Sequence, residues 1–343
     1  MKSVPEVIPV VIEVDPNSSS KWLLFAGPPK RILRSVNATL WATILLLAVI
    51  WGVPYFLIKV ALAELSPACV AWGRVTLGAL VLLPLAWRQG ALRGLTAHWR
   101  PVLAFALIEV VGPFLLIASG ERWISSSLTA ILVATAPLMV VVLAPLFGDA
   151  ERPTPTRWLG FALGFLGVVA LVGIEVDGGS RPLLGALLVL LASIGYSIGP
   201  LIAQHHLKQV KPLGLIAVSL AISSVVLATP AFLTAPASLP SWKALGAVAT
   251  LGWLCSAIAL VLFVTVIAKA GASRASVIAY LAPTVAVLLG VVALDEPFGI
   301  STLVGMAMIF GGSWMATGRA PATGIRKQET GSAPGHEPAG SES

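Results

Sequence analysis

One ordered set of residues occurs twice in this chain of 343 residues. Ala136-Pro137 lies in an apolar run and is followed by Glu151, Gly160 and Gly167. Ala282-Pro283 lies in a second apolar run and is followed by Glu296, Gly305 and Gly312, with the same Glu-to-Gly spacings. The Pro-to-Glu spacing differs by one residue. A weaker echo precedes each copy, Trp51, Pro67 and Pro84 answering Tyr196, Pro212 and Pro230. A duplication this long constrains the fold more than any single residue, because each copy must build the same supersecondary unit.

The medium those units occupy follows from composition. The chain is 57% hydrophobic and 11% charged, with a mean hydropathy of +0.93, whereas soluble domains carry roughly 25% charged residues. Its apolar runs are roughly 17 to 25 residues long, enough to cross about 30 Å of hydrocarbon as helix. Backbone amides in lipid must be satisfied within the segment, so the runs are helices. Ten are expected, at 38–58, 68–87, 101–119, 127–147, 158–174, 183–203, 213–233, 244–268, 276–293 and 301–317. The Pro/Ser-rich tail 1–37 and the Gly/Ser/Pro-rich, disordered tail 318–343 flank them. Residues 38–175 then hold the first repeat and 183–317 the second. No early hydrophobic core with a small-residue cleavage site marks a signal peptide.

The positions of the charges set the expected orientation. An even number of spans puts both termini on one side, and 17 of the 22 Lys and Arg fall there. Four (Lys59, Arg122, Arg181 and Lys243) fall on the other side, and Arg74 lies inside a span. Cytoplasmic loops carry the excess of basic residues, so both tails are expected in the cytoplasm of a cell (inner) membrane protein. The net charge of +7 is thereby accounted for without nucleic acid, since no basic groove alternates with aromatics. Five spans per copy is an odd number, so the second copy runs through the membrane upside down. Inverted repeats with a site between them fit alternating access.

Particular residues then resemble those of the drug/metabolite transporter superfamily, EamA type. They are Trp51-Gly52, Arg74 after Pro67, the run Ser125-Ser126-Ser127-Leu128-Thr129-Ala130, Ala136-Pro137, Glu151 and the paired glycines. In the second copy they are Ala272-Ser273-Arg274-Ala275-Ser276, Ala282-Pro283, Asp295-Glu296-Pro297, Gly305 and Gly312. The resemblance covers about residues 38–317. It implies a ten-helix bundle with a central cavity that carries small metabolites, amino acids or drug-like compounds, often outward. Two positions depart from the family pattern: Tyr196-Ser197 replaces a Trp-small pair, and Glu109 stands mid-span where apolar residues are usual.

Arg74 and Glu109 are the ionisable residues placed within the hydrocarbon, where a charge costs roughly 2.5–3.5 kcal/mol on insertion scales. By a rise of 1.5 Å per residue they lie about 9 Å and about 15 Å below the same surface. Glu109 is the candidate proton-coupling or substrate-amine group, because burial favours the neutral carboxyl. Arg74 is the candidate anchor for a carboxylate or phosphate, which its planar fork suits. The alternative is a structural ion pair between the two. Pro54, Pro113, Pro137, Pro200 and Pro283 each remove a helical hydrogen bond near midplane. They are candidate helix kinks that line a cavity, or simply serve packing. Trp51, Tyr55, Tyr196 and Tyr280 are candidate cavity walls for planar or cationic solutes, or packing residues.

Other features read as structural. Gly160, Gly164 and Gly167, echoed by Gly305 and Gly312, form a small face for close helix contact. Glu151 and Glu296 precede spans 5 and 10 as helix-terminal caps. Lys59 and Lys269 are expected to snorkel, and Trp123, Trp158 and Trp242 to anchor at the interfaces. Cys69 and Cys255 lie in apolar runs, which argues against a disulfide. His205-His206 has no acidic or thiol partner nearby and reads as no metal site, and the Asn37-Ala38-Thr39 sequon falls in the cytoplasmic tail.

No nucleophile–base pair or histidine cluster assembles an enzyme, and no Walker-type loop binds nucleotide. No cofactor is implied. The leading reading is a monomeric or homodimeric secondary transporter of a small organic solute, with protons as the candidate co-ion. A non-transporting receptor or assembly factor is the alternative.

Overall fold

The computed structural model describes residues 38–147, 154–175, 180–270 and 277–317. Both tails, Glu151 and the Lys269 side chain lie outside the described residues. Every described element is helical, and nine of the helices are apolar and long enough to cross a membrane. A tenth apolar helix, Ile278–Leu294, is shorter at 17 residues. In chain order the bundle is α1 (Ala38–Leu62), α2 (Pro67–Arg88), α3 (Trp99–Phe105 continuing to Gly120), α4 (Ser126–Val133 with Ala136–Leu143) and α5 (Pro155–Glu175). The second half follows as α6 (Ser180–His206), α7 (Pro212–Leu233), α8 (Trp242–Thr250 continuing to Ala270), α9 (Ile278–Leu294) and α10 (Ile300–Thr317).

Helices of the two halves interleave. α2 packs on α7, and α5 on α10. α1 packs on α9 while its counterpart α6 packs on α4, and α3 packs on α6 while α8 packs on α1. Such reciprocal contacts are those a two-fold relation between the halves produces. Counterparts also run antiparallel: Ser66 at the start of α2 bonds Thr234 at the end of α7 at 2.6 Å, and Thr76 bonds Ser224 midway at 2.7 Å.

Small residues make the close approaches possible, since lipid supplies no hydrophobic drive between helices and van der Waals contact must. A Cβ on Gly160 would strike the backbone of Gly312 and Ala316, and one on Gly167 would strike Met308 and Gly305. The glycine face thus forms the antiparallel α5–α10 contact. Large apolar side chains point outward instead, among them Leu187 and Leu191 of α6 and Phe232 and Leu233 of α7. Trp158 and Trp242 are exposed as well, whereas Trp123 is half-buried.

Two helices widen at equivalent places. α3 becomes a π-helix over Ala106–Val111 and α8 over Leu251–Ile258. Ala106 and Leu251 stand 145 positions apart, the offset that also relates Pro67 to Pro212 and Gly160 to Gly305. Pro113 follows the wide turn of α3, and Gly112 N–H reaches back to Leu107 C=O, one residue further than in an α-helix. Pro137 follows the break in α4 at Ala134–Thr135. Pro54, Pro200 and Pro283 sit inside helices that run on without a break.

Candidate functional site

The two wide turns carry the polar centre of the bundle. Arg74 of α2 donates from Nε to Ser256 Oγ, on the wide turn of α8, at 2.9 Å. Its guanidinium lies over the Phe114 ring of α3, 4.0 Å from the centroid. Gly252, also on that turn, has room only for hydrogen beside the Arg74 carbonyl and Leu77. Glu109 lies on the wide turn of α3 and rests its carboxylate against Gly199 of α6, where a Cβ would collide with it. The Glu109 Oε2 atom is buried and finds no hydrogen-bond partner among the described residues. So the two central charges of the first half are both lodged against helices of the second. They do not form the structural ion pair that stood as the alternative, because Arg74 is turned toward Ser256 and Glu109 toward Gly199.

Two of the candidate aromatics lie together at mid-bundle. Tyr55 of α1 and Tyr196 of α6 share one apolar cluster with Ile117, Ala118 and Leu251. Trp51 packs on Phe263 of α8 with centroids 4.7 Å apart. Tyr280 stands apart from this group, edge-on to Phe310 of α10 at 5.8 Å. Ser256, Phe114 and Gly199 carry no sequence signal as site residues, being a serine, a phenylalanine and a glycine among many in apolar helices.

At the end of the bundle that holds the α1–α2 loop, hydrogen bonds link the two halves. Glu296 does not cap its own helix α10. It accepts from Ser126 N (2.6 Å), Ser127 N (3.0 Å) and Ser127 Oγ (2.6 Å), at the start of α4. The Ser125 hydroxyl accepts from Leu128 N and the Ser125 carbonyl from Thr129 N, so the first four amides of α4 are all satisfied. The redirection starts at Asp295, whose left-handed backbone (φ 53°) ends α9 and turns the next residue back. Glu64 plays the matching part for α8, accepting from Ser241 N and Ser241 Oγ. Lys59 does not snorkel outward. Its ammonium turns inward and donates to the carbonyls of Glu121 and Ile124 at the α3–α4 corner.

These caps respond to pH. Partial burial works to raise the Glu296 carboxyl, but hydrogen bonds from Ser127 and Ser126 hold it below the usual range, and Ser241 does the same for Glu64. A carboxyl whose folded pKa is depressed stabilises fully above its unfolded value and loses that stabilisation as pH falls through the folded one. These links between the halves are therefore expected to loosen on acidification below the ordinary carboxylate range. Glu296→Ala should cost about 0.5–2 kcal/mol at neutral pH, the range for a lost N-cap. Melting curves of wild type and variant, compared across pH, should converge in acid.

Both cysteines are free. His205 lies beside Phe147, and no group of three His, Cys, Asp or Glu is gathered for a metal among the described residues.

A bundle of apolar helices in two interleaved halves, with a polar centre at their contact, is a multi-pass membrane protein of transporter type. The chain belongs to the EamA-like transporter family, whose profile matches residues 39–173 and again 183–318. It is 31% identical over 260 residues to an uncharacterized inner membrane transporter, YedA, of Escherichia coli K12, covering 73% of this chain and 81% of that protein. It is 27% identical over 272 residues to an uncharacterized transporter, YvbV, of Bacillus subtilis, covering 77% and 86%. An uncharacterized transporter of Archaeoglobus fulgidus is 24% identical over 286 residues, covering 80% and 97%. A solved structure, described as the crystal structure of a protein, shares the fold with a TM-score of 0.58 at 20% identity, covering 81% of this chain and 97% of that one.

Proposed function

We propose that the protein is a secondary transporter that exports a small organic solute, an amino acid, metabolite or drug-like compound, by alternating access between two inverted five-helix repeats. One observation carries the reading: Arg74 and Glu109, the charges at mid-bundle in the first repeat, are seated on Ser256 and Gly199 of the second. A movement of one repeat against the other must change both contacts, so the site and the moving interface coincide. The antiparallel pairing of α2 with α7 supports the inversion, and the excess of Lys and Arg supports cytoplasmic termini in the inner membrane.

In this orientation the end sealed by Glu64, Glu296 and Lys59 is external, and solute loads from the cytoplasm. Arg74 anchors an anionic group through the guanidinium edge that Ser256 leaves free, and Tyr55 and Tyr196 flank it. Glu109 is the proton carrier. A neutral carboxyl against Gly199 needs no counter-charge, whereas an ionised one needs a cation or an ammonium group of the solute. Comparing metabolites inside and outside cells that overproduce wild type or the Arg74→Ala, Glu109→Gln variant tests the reading. A compound that accumulates outside only with the wild type is the expected result. Identical profiles for the two at matched membrane levels would exclude export.

A further inference from the structure

We propose that Glu121 is a second proton-binding carboxyl, set at the sealed end of the bundle and neutral while that end is closed. The proposal rests on the proton-coupled reading above and adds a second station to it. Glu121 lies one residue past α3 and is fully buried, at 0% exposure. Neither carboxylate oxygen finds a hydrogen-bond partner among the described residues. Glu64 and Glu296, at the same end, are served differently: Glu64 accepts two bonds from Ser241 and Glu296 three from Ser126 and Ser127. A carboxylate kept ionised without a single donor would lose its hydration with nothing to offset the loss.

The neighbouring cation does not fill the gap. Lys59 gives hydrogen bonds to the main-chain carbonyls of Glu121 and Ile124, at 2.6 and 2.7 Å, and none to the carboxylate. The other charged groups facing Glu121 are Glu296 of the α9–α10 loop and Arg74 of α2, and the uncharged Tyr55 hydroxyl of α1 lies near it. From α6 the corner meets Gly185 and Val189, which carry no charge. Burial pushes the Glu121 carboxyl well above the usual range; Lys59 opposes it, Glu296 adds to it and Arg74 opposes it.

Opening this end would admit water, let Glu121 pass its proton to that water, and leave a carboxylate beside Lys59 as an ion-pair partner. Glu109 lies within α3 and Glu121 just past its end, twelve positions further along the chain. One serves mid-bundle and the other the exit.

Infrared spectra of the reconstituted full chain at neutral pH read the protonated-carboxyl C=O stretch directly. Glu121→Gln should remove one such band and Glu109→Gln a different one. Lys59→Met, which removes the opposing cation, should carry the Glu121 band to higher pH. Coincident wild-type and Glu121→Gln spectra in this region would overturn the proposal. So would a failure of Glu121→Gln to fold, because glutamine is the neutral isostere and only a needed charge would be missed. Loss of the Glu109 band alone would leave the single-site reading standing, and loss of the Glu121 band alone would remove Glu109 as carrier.

Discussion

Arg74→Ala should raise the half-saturating concentration of an anionic or zwitterionic solute by roughly tenfold to a hundredfold. Hydrogen bonds to a charged group contribute about 1.5–3 kcal/mol, and 1.4 kcal/mol is a factor of ten. The side chain also holds α2 to the wide turn of α8 through Ser256 and packs on Phe114 of α3. Arg74→Lys keeps the charge but neither the planar stack nor the Nε donor, so it should recover only part of the loss. Ser256→Ala removes a positioning contact while the guanidinium stays, and should cost a few-fold at most. Concentration-dependent flux in cells, measured for all three at equal membrane levels, orders them: Ala worst, Lys intermediate, Ser256→Ala mildest.

Gly199→Val is expected to have the second large effect, through the neighbour it displaces. The new side chain would occupy the volume in which the Glu109 carboxylate lies. Overpacking a filled site costs about 1–3 kcal/mol, and here it also expels the proposed proton carrier. Lower thermal stability in detergent and loss of pH-gradient-dependent flux should appear together. Adding Glu109→Ala should restore the stability, because the collision is removed, but not the gradient dependence, because the carboxyl is gone. Such a split is a coupling between two residues in contact, and a general packing defect at Gly199 would not produce it.

Much of the bundle was legible because lipid leaves few options. Apolar run length marks each helix, and the spacing of Glu151, Gly160 and Gly167 against Glu296, Gly305 and Gly312 marks the duplication. Arg74 and Glu109 stood out because a charge in hydrocarbon needs a reason. The wide turns did not stand out. A π-helix follows the i→i−5 bonding that packing selects, and its two instances share no residue pattern: Pro113 follows the one in α3, while Ile258 closes the one in α8.

Two charged residues misled for a common reason, namely that chain proximity is a poor guide at helix ends. Glu296 reads as the cap of the helix it precedes, yet the left-handed Asp295 sends it to α4. Lys59 reads as a snorkelling terminus, yet two carbonyls of the α3–α4 corner face it. Glu121 was not singled out at all: it stands beside the exposed Arg122 in a short loop, yet it is buried. The available signal was its place one residue after an apolar run.

The most direct test of proton-coupled transport uses the solute found by the metabolite comparison, in vesicles containing the purified protein and holding an imposed pH gradient. Wild type should move the solute against its concentration gradient and stop when an ionophore collapses the pH difference. Glu109→Gln should still exchange solute but no longer respond to the pH difference. Full gradient-driven flux in Glu109→Gln would contradict the account.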